Sequence, residues 1–218
     1  GSAIAALSDD EIESDITTLI KNYLDAKQKV SMDEMKECVS DISKIDEKRL
    51  VTEAEYIEEY KNIECTICDD GLSDGIFRVY VYYEAKIYDI DTLVPSLTAL
   101  VVTGTPEGKF LINLSKIDSK DQRAIDKLDN SDEIKKKIDS VQKKLEDIVS
   151  KNADVRDFYQ MLESTNQDSN EENNENISNE AGSAAQQQQA ADPNQAAPTV
   201  DPNQAAATTD PNQAQPAQ

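Results

Sequence analysis

The three cysteines are the first residues whose type and spacing suggest chemistry. Cys65 and Cys68 form a Cys-x-x-Cys pattern, and Cys38 stands alone. A redox pair needs its first thiolate at the amino end of a helix, but IECTIC has the composition of a strand, where positions three apart point to opposite faces. A zinc site needs two further ligands, and the chain has no histidine. We therefore expect buried or half-buried thiols and predict no metal and no cofactor.

Four of the eight tyrosines lie in one segment, GIFRVYVYYEAKIY at 75–88. Side chains alternate between two faces along a strand, so this segment has one apolar face and one mixed face. The apolar face should cover the core and holds Phe77, Val79, Val81, Tyr83, Ala85 and Ile87. The other face combines charges with tyrosines, as a half-exposed sheet surface does, and holds Arg78, Tyr80, Tyr82, Glu84, Lys86 and Tyr88.

Two interpretations of the mixed face stay open. Tyrosine has a high β-propensity and packs well across strands, which requires no function. Tyrosine is also enriched in interfaces, where it offers a large rigid area. On that second interpretation, the residues Arg78, Tyr80, Tyr82 and Tyr88 form an interaction surface for a protein or for a second copy of the chain.

An enzymatic pocket is the alternative to a binding surface. Without histidine, the Ser–His and Cys–His pairs that activate a nucleophile are excluded. Acid–base catalysis would need a carboxylate tuned by burial. On the predicted inner side of the fold the only polar side chains are Tyr23, Tyr60 and Tyr83, and no carboxylate falls on that side of the tyrosine strand. The missing base weakens the enzyme hypothesis.

The charge balance argues against nucleic acid as a partner. The chain has 44 acidic and 22 basic residues, for a net charge of −22, and all basic residues precede residue 165. An acidic domain repels a polyphosphate unless basic residues are segregated on one face. The one dense basic run, Lys135 to Lys137, lies on a predicted helix beside acidic residues, and we interpret it as a solvated, salt-bridged face.

Helix-capping patterns mark the first elements. Ser8 with Glu11 and Ser31 with Glu34 are two capping boxes, which predict a helix over 9–28 and a shorter one after Ser31. A third helical pattern covers 46–61. The apolar period then changes to two, predicting strands at 62–69, 75–88, 93–103 and 108–114, and their short connections favour an antiparallel meander.

Helical periodicity returns after the strands. An apolar stripe begins near Ser131 with Ile134, Ile138, Val141, Leu145 and Ile148, and a last turn or two follows. We thus predict one α+β domain over 8–163, in which amino-terminal helices pack on a four-stranded meander (62–114) that precedes a helical part (118–163).

The two ends of the chain differ from this domain. Residues 164–218 are acidic and nearly free of large apolar side chains, and three nine-residue units start with DPNQA, so this tail should be a disordered spacer. Residues 1–7 read as a linker, in which Gly1-Ser2 resembles an expression scar. We therefore expect the natural amino terminus, with any anchor, to be missing.

Two stretches, EYIEEYKNIECTI and GIFRVYVYYEAKIYDIDTLVPSLTALVVTGTPEGKFLI, carry a family resemblance. With the helices before them, they resemble the nuclear transport factor 2-like superfamily, cone-shaped domains of cystatin-like fold, and cell-envelope proteins of Gram-positive gut anaerobes. The likeness covers about residues 8–114. It implies an anchored location outside the cytoplasmic membrane and a non-catalytic binding or assembly role towards a protein, an envelope polymer or a second copy. The alternative it implies is a small-molecule-binding or isomerase-like enzyme that uses the cone interior.

Overall fold

A computed structural model describes residues 3–172, with side chains described as far as Thr165. Within that range the order is helices, then a four-stranded sheet, then helices, which confirms the α+β class. The expected disordered spacer with its three repeats lies outside the described residues, except for the stretch that ends at Glu172.

The first two helices begin where the capping patterns predict. α1 spans Asp9–Lys29; the Ser8 hydroxyl accepts a hydrogen bond from the Glu11 amide and the Glu11 carboxylate accepts one from the Ser8 amide, both at 3.2 Å. α2 spans Met32–Lys36, and the Ser31 hydroxyl accepts from the Glu34 amide. These bonds satisfy first-turn amides that have no partner within a helix.

The third helix is shorter than predicted. α3 spans Glu47–Tyr56, and the strand β1 follows directly at Ile57–Cys68, so the prediction of a helix to residue 61 is wrong. Ile57 pairs with Ile87, and Tyr60 pairs with Ala85. Backbone pairing with the neighbouring strand therefore sets the conformation of this segment, against its helical apolar spacing.

The four strands form the predicted meander. β2 spans Ile76–Ile87, β3 Val94–Gly104 and β4 Phe110–Ile112. The hydrogen-bonded order is β1-β2-β3-β4, and every neighbouring pair is antiparallel. One side of the sheet, called the inner face here, packs against α1. Val79, Val81 and Tyr83 are buried there with Ile16 and Ile20 of α1, as the alternation in β2 predicts. Ile87, at the end of β2, was predicted for this face but belongs to the core on the opposite one.

The opposite side, called the outer face, is also covered, and this overturns the expectation of a half-exposed surface. Three helices follow the sheet: α4 at Ser119–Asp129, α5 at Asp132–Lys151 and α6 at Ala153–Glu172, which continues past the expected boundary at residue 164. Ile134, Val141 and Leu145 from the predicted stripe of α5 belong to a second core with Tyr80 and Leu97 of the sheet. The sheet is thus the middle layer of three.

Candidate functional site

The structure separates the four residues predicted as an interaction surface. Arg78 and Tyr80 are 0% and 1% exposed, whereas Tyr88, just after β2, is 45% exposed. Tyr82 is half-buried. The prediction that all four coat the outside of the sheet is therefore wrong for Arg78 and Tyr80, because the carboxy-terminal helices pack over them.

Arg78, Tyr80 and Asp129 form a hydrogen-bonded group that we call the arginine cluster. Arg78 donates from Nε and Nη2 to the two carboxylate oxygens of Asp129, at 3.0 and 2.8 Å. The Tyr80 hydroxyl donates to Asp129 Oδ1 at 2.6 Å. Burial, together with the hydrogen bond to the Asp129 carboxylate, raises the pKa of Tyr80 and keeps its hydroxyl protonated. This cluster fastens the last residue of α4 to β2, so its role is structural.

A groove of about 420 Å³ lies between α5 and the outer face; we call it the α5 groove. Tyr80, Leu97 and Val141 line it with buried side chains and form an apolar floor. The polar lining consists of Glu64 and Thr66 from β1, Tyr82 from β2, and Lys136, Lys137, Ser140 and Lys144 from α5. Of the tyrosines predicted for an interaction surface, Tyr80 and Tyr82 line the α5 groove and Tyr88 does not.

One end of the α5 groove is organised by Lys144. Its Nζ donates to the Tyr82 hydroxyl at 2.9 Å and to Glu84 Oε1 at 3.3 Å. Tyr82 itself donates to Glu84 Oε1 at 2.8 Å, and Asn62 donates to the other carboxylate oxygen at 3.1 Å. The hydrogen bond with Tyr82, joined by the charge of Glu84, raises the pKa of Lys144. Lys144 is therefore a fixed cation that also orients the Tyr82 ring.

The other two lysines of the α5 groove differ from Lys144. In the part of the chain that the structure describes, neither Lys136 nor Lys137 takes part in a hydrogen bond or an ion pair. The expected face over Lys135 to Lys137 is solvated but not salt-bridged within the described residues, and Asp139 pairs with Lys143 at 2.8 Å. Both amino groups are available to an anion from solution.

The three tyrosines proposed for the interior lie close together on the inner face. The rings of Tyr60 and Tyr83 meet edge to face with centroids 5.1 Å apart. Lys27 Nζ lies 5.7 Å from the ring centre of Tyr23 and 5.9 Å from that of Tyr60. A cation surrounded by aromatic rings is stabilised by their π-electrons.

The sequence reasoning missed a carboxylate beside these tyrosines. Glu53 Oε2 lies 3.0 Å from Lys27 Nζ, with the two side chains 4% and 3% exposed, and the Tyr60 hydroxyl donates to the same oxygen at 3.5 Å. Burial raises the pKa of Glu53, although the charge of Lys27 opposes that shift. The prediction considered β2 alone, and the carboxylate comes from α3. The sequence could have indicated this carboxylate, because Glu53 follows Leu50 by one helical turn and both are the buried residues of α3.

The two sites have different chemical capacities. On the inner face, the Glu53 carboxylate is buried and ion-paired with Lys27, whose charge opposes its protonation. In the α5 groove, Lys136 and Lys137 stand beside an apolar floor and hydroxyl groups. The arrangement can bind an anion that also carries apolar surface.

The cysteines follow the prediction for thiols. Cys38 is buried, Cys65 and Cys68 are half-buried, and all three are free. Burial raises the pKa of Cys38 and of Cys65 to about 11, which suppresses the reactive thiolate. Within the residues whose side chains are described, 3–165, no group of three or more cysteine or carboxylate residues is placed to hold a metal ion.

Comparison of the chain with family models, curated proteins and solved structures gave no match. None of the described helices combines the length and the apolar character that a membrane span requires.

Proposed function

We propose that the chain is a non-catalytic binding or assembly domain of a bacterial cell envelope and that the α5 groove is its binding site. Its ligand is a protein or an envelope polymer, and it acts outside the cytoplasmic membrane. The location follows from the sequence resemblance to envelope proteins. A nuclear transport factor 2-like origin of the helices α1 to α3 and the sheet belongs to the same proposal, and the helix-then-meander order supports it.

The observation that carries the proposal is the pairing of Lys136 and Lys137 with the apolar floor of the α5 groove. Ligand sites in proteins are concave and mostly apolar, with a few polar groups that fix orientation. The α5 groove combines an apolar floor with polar groups at its sides, and Lys136 and Lys137 form no hydrogen bond or ion pair within the described fold. Among the buried charged residues of the described fold, Lys27 pairs with Glu53 and Arg78 with Asp129, while Asp121 accepts hydrogen bonds from Ser73.

A groove-blocking variant tests the proposal. Ser140 is exposed on α5 and lines the groove, so Ser140→Trp should fill it without changing charge or core packing. Ser150→Trp is the matched control, because Ser150 is exposed on the same helix away from the lining residues. The probe is purified cell walls of a Gram-positive bacterium, and the measurement is co-sedimentation of the full chain.

We expect the wild type and Ser150→Trp to sediment with the walls and Ser140→Trp to stay in the supernatant. Equal sedimentation of both tryptophan variants would contradict the α5 groove as the binding site. No sedimentation of the wild type would contradict an envelope-polymer ligand, and the remaining form of the proposal would be a protein partner.

A second candidate is an isomerase-like or small-molecule-binding function on the inner face, and Glu53 favours it. A buried carboxyl group with a raised pKa is what such enzymes use as an acid or base. The test is conversion of a β,γ-unsaturated ketone to its conjugated isomer, followed by ultraviolet absorbance. Conversion by the wild type that is lost in Glu53→Gln would support this function, and a wild type no faster than buffer would contradict it.

A further inference from the structure

We infer that the α5 groove binds an acidic polysaccharide, a chain of sugar rings that carries carboxylate or phosphate groups. This inference rests on the proposed function of the groove and adds the chemical class of its ligand.

The lysines of the groove account for the negative charge of the ligand. Lys136 and Lys137 carry positive charges without an ion-pair partner in the described fold, Lys144 is ion-paired with Glu84, and Glu64 is the one acidic residue that lines the groove. The chain as a whole has a net charge of −22, so most of its surface repels anions. A site that is locally positive on an acidic protein selects anions at that place and at few others.

The remaining lining residues favour a ligand that also carries hydroxyl groups. Thr66 and Ser140 present hydroxyl groups. On the β1 side of the groove, the Glu64 carboxylate can accept hydrogen bonds from a ligand, because no lysine of the groove forms an ion pair with it within the described fold. A sugar hydroxyl can donate to Glu64, whereas a run of acidic peptide side chains would be repelled by it. The density of charge in an acidic polysaccharide, one anion per ring or fewer, suits this mixed lining.

The floor of the groove suits the apolar faces of sugar rings. Leu97 and Val141 are buried beneath it, and Tyr82 presents an aromatic ring whose hydroxyl is held by Lys144 and Glu84. The C–H faces of pyranose rings pack on such surfaces. At about 420 Å³ the groove has the size of small-ligand sites, which suits a short stretch of polymer rather than the surface of a globular protein.

Defined oligosaccharides test the class of ligand by isothermal titration with the full chain. Galacturonate oligomers provide carboxylates, phosphorylated dextran oligomers of similar length provide phosphates, and the methyl esters of the galacturonates are the neutral match. We expect at least one acidic oligosaccharide to bind, with affinity that falls as salt is added, and the neutral esters to bind at least about tenfold more weakly, the loss of a few weak ion pairs.

Lysine variants locate the binding. Lys136→Gln and Lys137→Gln should each weaken binding by about two- to fivefold, as expected for one exposed ion pair. Lys135→Gln is the matched control, because Lys135 is exposed in the same run but does not line the groove. It removes the same charge and should leave affinity unchanged.

Four results would overturn the inference: binding of the esters as strong as that of the acids, equal effects of the three lysine changes, no binding of either acidic sugar, or tighter binding of an oligoglutamate of matched length. The last result would identify an acidic peptide as the ligand. Each of these can occur while Ser140→Trp still abolishes sedimentation with cell walls, in which case the proposed function stands and only the ligand class fails.

Discussion

The arginine cluster allows a stability prediction in which the two partners of one ion pair have unequal effects. Arg78 is 0% exposed at its side chain, and Asp129 is 13% exposed. Asp129→Ala leaves a guanidinium buried with no counter-charge. Breaking a buried pair from one side costs about 3–5 kcal/mol, and the partial access of water at Asp129 places the expected loss at the lower end, about 3 kcal/mol.

The reverse change should cost less. Arg78→Met keeps the length and apolar stem of the side chain, and the carboxylate it leaves behind can be hydrated through the exposed edge of Asp129. The change also removes Arg78 Nη1, which has no hydrogen-bond partner among the described residues and is already a cost to the fold. We expect a loss of about 1–2 kcal/mol for Arg78→Met. The double variant should be more stable than Asp129→Ala alone.

Urea unfolding of the full chain near pH 7, followed by far-ultraviolet circular dichroism, measures these differences. The comparison is valid where the slope with urea concentration stays constant among variants, so that a shift in midpoint reports stability. A loss smaller for Asp129→Ala than for Arg78→Met would refute the reasoning, because it would mean that water already reaches the guanidinium.

Three further predictions concern buried groups. Tyr80→Ser should lower the unfolding free energy by about 3–5 kcal/mol because the ring is buried, whereas Tyr82→Ser should lower it by only about 1 kcal/mol. Equal urea midpoints for the two variants would contradict the packing of α5 over Tyr80. Since burial raises the pKa of Cys38 and Cys65 to about 11, iodoacetamide at a mildly alkaline pH should label both at least about tenfold more slowly in the folded chain than in urea, as measured by mass spectrometry. Burial raises the pKa of Glu53, so the unfolded chain loses this proton at a lower pH than the folded chain does. The unfolding free energy of the wild type, measured relative to that of Glu53→Gln, should therefore fall as the pH rises above the usual pKa of glutamate. A rise would show that the charge of Lys27 outweighs the effect of burial on the Glu53 pKa.

Most of the inner half of the fold was predictable because its signals are local, although the end of α3 at Tyr56 was not. Ser8 and Ser31 mark helix starts through bonds that span three residues, and alternation in β2 separates Val79 and Val81 from Arg78 without knowledge of any other element. Such patterns depend on the backbone of one segment. They do not say which other segment will cover a given face.

The helices that cover the outer face do so through long-range packing, and one feature of the sequence indicated that this face would be buried. β3 is buried along nearly its whole length, from Val94 to Val102, and its sequence VPSLTALVV has apolar residues at both parities. A strand of this composition is covered on both faces. The apolar stripe of α5, which begins with Ile134, must be buried against another element, and it packs against β3.

The α5 groove was harder to predict than the cover. Lys136, Ser140 and Lys144 follow one another at intervals of four, so their common face on a helix could be read from the sequence. Their approach to Glu64 and Tyr82 depends on how α5 lies across the sheet. A lysine run in an acidic helix therefore fits a salt-bridged face as well as a site until that packing is known.

The partners of each charge decide which polar group can serve a ligand. Lys27 with Glu53 joins α1 to α3, and Arg78 with Asp129 joins β2 to α4, so each of these charges is compensated inside the fold. A ligand that took one partner would leave the other buried and uncompensated, at a cost of several kcal/mol. Lys136 and Lys137 carry no such penalty, because their charges are hydrated before a ligand arrives. We therefore place the proposed binding at the rim of the α5 groove, while the more heavily buried clusters hold the helices on the two faces of the sheet.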